Sequence, residues 1–289
     1  MMVTILNVVV DGILTGGIYS LIAMGFGLQY GVARVLNVSH GEFIMLGAFA
    51  TWSLYTLFGI NPLISLIICG PVLFGIGFVI HRTLFKHLQS TSTSTGAYEA
   101  NSLLATFGLL FIIQNVVLLV WGPFVRGLGI YSYPVSFAGT TFGANRLITP
   151  LFAIVISVAF YIFITRTRLG KAIRAAAQDS VTAGLMGVKI NRVLALCFGL
   201  GALMASLAGS LISITYTITP TMGLEYTAIA FIVVVLGGLG NISGSFVGGF
   251  ILGLIGSIVT YFDASLALIT YYVIFMLLLM VRPTGILGK

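Results

Sequence analysis

The sequence predicts an all-α polytopic membrane protein of eight or nine transmembrane helices, one of them short or broken. Three observations carry that prediction. Only 7% of the 289 residues are charged and 59% are hydrophobic, against roughly 25% charged in soluble globular domains. Apolar runs of about 17 to 25 residues, enough to cross a bilayer, recur along the whole chain. The remaining cations collect between those runs, the pattern that sets orientation in a membrane.

In order, the runs lie near 4–29, 41–59, 62–80, 103–121, 148–165, 193–216, 226–240, 244–262 and 265–281. No basic stretch precedes the first, MMVTILNVVVDGILTGG, so no cleavable signal peptide is evident and the segment is expected to be retained. The seventh is short and ends in Gly237-Gly238-Leu239-Gly240. That ending reads as a broken or re-entrant helix and leaves the count between eight and nine. The STSTST run at 90–95 reads as a flexible inner linker. His81, Arg82, Lys86 and His87 follow the third run, a basic island at 166–192 follows the fifth, and Arg282 and Lys289 follow the last. All three groups share one side if the chain starts outside and ends in the cytoplasm. The other side receives Arg126, Arg146, the TITPTMGLEY turn and Asp263. Gly12 with Gly16, Gly244 with Gly248 and Gly249 with Gly253 keep the four-residue spacing that lets helix backbones approach closely. They predict one compact bundle, residues 1–289 as a single transmembrane domain, and contacts between subunits.

Catalytic chemistry is not written in the chain. Its three histidines form neither HxxxH nor HExxH, so no metal site is expected, and there is no GxSxG elbow or Walker A loop. If ATP drives this protein, another chain binds it. Cys69 and Cys197 lie within apolar runs, where cysteine acts as a small hydrophobe. No cofactor is implied. The net charge of +7 has no basic stripe with interleaved aromatics, so nucleic acid is not an expected partner, whereas membrane lipid is.

Two polar interruptions resemble each other about 204 positions apart: NVSHGEFIMLG from Asn37 and NISGSFVGGFILG from Asn241. Asn37 with Ser39 matches Asn241 with Ser243. One reading is an internal inverted repeat whose broken helices flank a solute path; the other is that each Asn-x-Ser caps a helix at the membrane edge. The same choice applies to Glu42. With Asn37, Ser39 and His40 it could line a polar path, or it could be a first-turn acid that stabilises its own helix. The second reading is favoured for Glu42.

The island RTRLGKAIRAAAQDSVTAGLMGVKINR holds six of the thirteen basic residues, Arg166, Arg168, Lys171, Arg174, Lys189 and Arg192, against Asp179. Leu169, Ile173 and Ala176 recur at helical spacing, and Asp179 or Ser180 can cap a second short turn running out at Gly184 and Gly187. It reads either as a topology-setting loop on lipid headgroups or as a surface that fits a groove on a cytosolic partner.

GGIYSLIAMGFGLQYGVARVLNVSHGEFIMLGAFAT, LLATFGLLFIIQNVVLLVWG, IRAAAQDSVTAGLMGVKINRVLALCFGLGALMASLAG and VVVLGGLGNISGSFVGGFILG together resemble, in order and over nearly the whole chain, the LivH-like permease subunits of bacterial branched-chain amino-acid ABC importers. The resemblance implies a non-enzymatic permease domain in the bacterial inner membrane. It implies a second, LivM-like permease subunit, two ATP-binding subunits and an external solute-binding protein as partners. It also implies that 166–192 is a cytoplasmic coupling loop in which Arg174, Ala175, Ala176, Asp179, Gly184 and Gly187 meet an ATP-binding subunit. Asn37, His40, Gly41 and Glu42, with Gly237, Gly238, Gly240 and Gly244, would shape the translocation region. Ser39 stands where that family commonly has a small apolar residue, and Arg174 stands where related permeases often have Glu, so the usual coupling salt bridge is not assumed. The solute could be a branched-chain amino acid, another amino acid, or urea and short amides, and a stand-alone channel is the competing class.

Overall fold

The computed structural model describes residues 2–137, 140–282 and 284–287. Each expected run is helical: α1 Met2–Ala33, α2 His40–Phe58, α3 Pro62–Ile80, α5 Thr95–Trp121, α6 Ala144–Arg166, α9 Ile190–Thr215, α10 Met222–Gly237, α11 Ile242–Phe262 and α12 Leu266–Val281. Between α3 and α5 the helix continues through a π turn, His81–Phe85, into α4, Lys86–Thr91. Among the described residues, six helices are long and apolar enough to cross a membrane: α1, α3 with its extension, α5, α6, α9 and α11. The chain is thus an all-α membrane bundle in its body. α10 and α12 have 16 residues each, about 24 Å of helix against a hydrocarbon core of about 30 Å.

Three differences from expectation have local causes. The loop between α5 and α6 carries a small antiparallel hairpin, β1 Pro134–Phe137 with β2 Thr140–Gly143, so the fold is not helical throughout. The 90–95 run is a helix joint rather than a loose linker, because Ser94 Oγ accepts from Ala97 N at 3.2 Å and caps α5. The third concerns the glycine stripes. Cβ atoms on Gly253 and Gly249 would lie 2.4 Å from Gly16 N and Ser20 N. These stripes seat α11 on α1 within the chain, and Ser20 Oγ donates to Phe246 O at 2.7 Å across the same seam. The expectation extended these faces to contacts between subunits; here they are filled within the chain.

α9 is the axis of the bundle. It is the most buried of the long helices and packs on α1, α2 and α3, while α3 and α5 turn many large apolar side chains outward, as lipid-facing helices do. Lys289 lies outside the described residues.

Candidate functional site

α1 runs to Ala33, yet α2 does not begin beside its end. Residues 34–37 have no regular secondary structure, and Arg34, with a left-handed φ of 53°, turns the chain back, so that His40 Nε2 lies 3.2 Å from Ile22 O and its ring meets Phe26 edge-on. Ile22 is eleven residues before the end of α1, about 16 Å back along the helix. The start of α2 is therefore deep inside the bundle, where its free N–H groups need protein partners. They have them. His40 N donates to Asn37 O at 3.1 Å, Glu42 N to Ser39 O at 3.0 Å, and Gly41 N to Thr227 Oγ1 at 2.8 Å. Asn37 holds the turn, accepting from Ser39 N and Ser39 Oγ at 3.1 and 2.6 Å and donating to Gln29 Oε1 at 3.0 Å.

The start of α10 meets the start of α2. A Cβ on Gly41 would lie 1.7 Å from Gly223 O, and a Cβ on Gly223 would lie 2.3 Å from Glu42 Oε1. The Glu42 carboxyl thus fills the space beside Gly223, near the positive end of α10 as well as of its own helix. Glu42 Oε2 and His40 Nδ1 have no hydrogen-bond partner. Sequence reasoning treated Glu42 as a helix-stabilising acid at a membrane edge; it is in the first turn, but at a buried junction of two helices.

Asn37, Ser39, His40 and Glu42 are at most 1% exposed, so they form a closed polar seam and not an open path. Asn241 and Ser243 are elsewhere. Asn241 caps α11, accepting from Gly244 N at 3.0 Å, and its amide donates to Leu287 O at 2.9 Å; Ser243 is exposed. Each Asn opens a helix, but one is sealed in the core and the other ties down the C-terminal tail. Capping accounts for Asn241, but not for Asn37: the N-cap position of α2 is Ser39, which makes no side-chain cap bond. Gly238 and Gly240 have φ of 104° and 82°, and they make the turn that separates α10 from α11.

A cavity of about 600 Å³, built from segments distant in sequence, lies on the side of the bundle that carries the hairpin. Asp11, Thr15 and Tyr19 of α1, Arg146 of α6, Glu225 of α10 and Tyr271 of α12 line it. Glu225 and Ile229 face this cavity, whereas Gly223 and Thr227 face the seam. Two residues along a helix are about 200° apart, so α10 is the wall between cavity and seam.

The basic island forms two helices, α7 Arg168–Gln178 and α8 Ser180–Leu185. A Cβ on Gly170 would lie 2.2 Å from Ile164 O, so only glycine permits this tight bend out of α6. Arg174 Nη2 donates to Thr165 O at 3.0 Å, which satisfies a carbonyl at the end of α6. Asp179 caps α8: Oδ1 accepts from Val181 N and Thr182 N at 2.9 and 3.1 Å, and Oδ2 accepts from Thr182 Oγ1. These bonds, the Thr182 hydroxyl first, hold the Asp179 carboxyl below its usual pKa. Ala175 is half-buried and Gly184 and Gly187 are exposed, but Ala176 is 4% exposed and packs inward with Ile173. It is therefore not a surface residue. What the sequence reading missed is the outward apolar set Val181, Leu185 and Met186, 73%, 84% and 82% exposed. Their i, i+4 spacing was visible in the sequence, but helical exposure was not.

Residues 8–282 match the family described as the branched-chain amino acid transport system, permease component. The chain belongs to this permease family. It is 30% identical over 295 residues to the high-affinity branched-chain amino acid transport system permease protein LivH of Salmonella typhimurium, covering 96% of this chain and 94% of that protein. Identity to BraD, the corresponding permease protein of Pseudomonas aeruginosa, is also 30%, with 98% and 96% covered. The probable branched-chain amino acid transport permease protein LivH of Methanocaldococcus jannaschii is 26% identical, with 93% and 88% covered. In a membrane-embedded permease, a polar seam and a cavity lined in part by charged side chains, separated by one short helix, together with a capped apolar knob among cations, are the features that need a functional account.

Proposed function

We propose that this chain is the transmembrane permease subunit of an ABC importer for branched-chain or related amino acids in the bacterial inner membrane. It would cross the membrane eight or nine times, with its N-terminus outside and its C-terminus in the cytoplasm. A second, LivM-like permease chain, two ATP-binding subunits and an external solute-binding protein complete the assembly. ATP hydrolysis belongs to the ATP-binding subunits, and solute choice to the binding protein.

The observation that carries the reading is α8. Large apolar side chains at Val181, Leu185 and Met186 stand exposed beside the island's cations, and such a patch marks an interaction surface. It suits the helix-in-groove mode, with a groove on an ATP-binding subunit as the receiver. Force applied there has a stiff route inward. The Gly170 bend and the Arg174–Thr165 bond join α7 to α6, and α6 packs on α1 where Gly17 meets Ile154 and Pro150. α1 supplies one wall of the outer cavity. In this reading the cavity is the outer mouth, the Asn37–Glu42 seam is the closed gate, and α10 is the element whose displacement joins them.

The test is solute uptake into vesicles carrying this chain with its partner subunits, against vesicles carrying this chain alone. ATP-dependent uptake only in the complete assembly is expected. Flux from this chain alone, without ATP, would make it a channel and refute the reading.

A further inference from the structure

At the foot of α3 a second cavity, about 620 Å³, is lined by Phe78, His81, Arg82, Lys86, Lys189 and Arg192, together with Asn191. Four of these side chains are cations and none is an acid. Two segments far apart in sequence build the cluster: the π turn after α3 with the start of α4, and the last residues of the basic island with the first turn of α9. Like charges around a shared hollow repel one another, and an anion seated among them relieves that repulsion. π turns inside longer helices also recur at functional sites.

The decisive group is His81. It is 2% exposed, it lines the cavity, and neither of its ring nitrogens has a hydrogen-bond partner. A buried imidazole normally satisfies its N–H, so this one is a donor waiting for an acceptor. Its ring is held by Phe85 and Phe198, with centroids 6.0 and 6.1 Å away. Arg82 is held as well, its guanidinium 4.7 Å above the Phe78 ring. A fixed N–H, a fixed guanidinium and flanking ammonium groups match the oxygens of a phosphate.

We propose that this cavity binds the phosphate of an anionic phospholipid headgroup. The choice of lipid over soluble phosphate comes from α3 itself. Val72, Ile76 and Val79 form an outward stripe, 56%, 41% and 56% exposed, and Arg82 and Lys86 continue it toward the cavity. A headgroup seated among the cations can therefore lay its acyl chains along that stripe. Basic pockets at the cytoplasmic ends of transmembrane helices are suited to this use, since that leaflet holds the anionic lipids that attract lysine and arginine. The site is separate from the solute cavity and independent of which solute is carried. A bound lipid would brace the end of α3 against the start of α9, beside the segment from which α7 and α8 extend.

The purified, delipidated full chain in neutral detergent would be titrated with phosphatidylglycerol, phosphatidylcholine or inorganic phosphate. Bound lipid is counted by native mass spectrometry, and unfolding temperature is followed in parallel. Phosphatidylglycerol is expected to bind and raise the unfolding temperature, with phosphatidylcholine and inorganic phosphate at least about tenfold weaker. The R82Q/K189Q/R192Q variant, checked for folding by gel filtration, should lose that preference, as should H81F. R166Q/R168Q/K171Q, with the same change in charge outside the cavity, should keep it. Equal loss in the two triple variants, or equal binding of phosphatidylcholine, would overturn the proposal. So would inorganic phosphate binding as tightly as the lipid, or displacement of the lipid when co-purified ATP-binding subunits associate.

Discussion

Gly41→Ala offers the most direct test of the buried junction between α2 and α10. The added Cβ would sit 1.7 Å from Gly223 O and 2.5 Å from Thr227 Oγ1, where ordinary contact begins at 3.4 Å. The two helix starts would have to part by about 1.7 Å, since a backbone carbonyl cannot swing aside as a side chain can. Separation of that size breaks the 2.8 Å bond from Gly41 N to Thr227 Oγ1 and the 3.0 Å bond from Thr227 Oγ1 to Val38 O. Each buried group left without a partner costs about 1–3 kcal/mol, so a loss of about 3 kcal/mol or more is expected. That corresponds to an unfolding midpoint lower by about 6 °C or more. The assay is thermal unfolding of the purified chain in detergent, with Gly75→Ala as the control. Gly75 is also helical, but a Cβ there meets nothing within 4 Å, and alanine is the better helix former by about 1 kcal/mol. The control should match or exceed the wild type. A Gly41→Ala midpoint within 1–2 °C (about 0.5–1 kcal/mol) of wild type would refute the close apposition of the two helix starts.

Replacing Val181, Leu185 and Met186 together with serine should leave the chain inserted but weaken its association with the ATP-binding subunits at least about thirtyfold, as loss of a central apolar anchor does; co-purification yield reads this. Asp179 is held below its usual pKa, so its cap is fully formed above the unfolded value of 3.8 and is lost only as pH falls through the lower folded value. Amide exchange at Val181 and Thr182 should therefore be insensitive to this group from pH 5 to 8 (roughly 1 unit or more above that value), and a pH-dependent rise in opening within that window would contradict the capping role. Arg126→Gln removes a guanidinium 4.5 Å above the Trp52 ring and its 2.9 Å bond to Trp121 O, and should cost about 1–2 kcal/mol in thermal unfolding. Gly170→Ala forces a Cβ to within 2.2 Å of Ile164 O and should uncouple ATP hydrolysis from uptake while insertion persists; unchanged coupling would remove the rigid α6–α7 bend from the transmission route.

Much of the fold was legible because membrane insertion is decided locally. A long run of apolar residues is helical in a bilayer regardless of its neighbours, since only a helix satisfies its backbone within the one segment, and all nine runs in this chain are helices. The basic island, the short seventh segment and its glycine ending could be read for the same reason: they depend on neighbours in sequence. Facing could not be read. A lipid-facing side chain and a core side chain are equally apolar, so the sequence could not tell that Leu66 and Leu73 of α3 turn inward while Val72 and Val79 turn out.

What the sequence by itself determined is therefore which segments are apolar helices and which links between them carry the cations. Only tertiary structure decided that α2 begins beside the middle of α1, that Gly41 and Gly223 interlock, and that Asn37 and Asn241 share a motif but not a site. The cavity beside α10 likewise draws on residues from Asn7 to Tyr271, and the basic cavity joins residue 81 to residue 192. These are contacts between distant segments, set by how closely glycine lets two backbones approach and by which buried polar groups must find partners, and no local pattern encodes them.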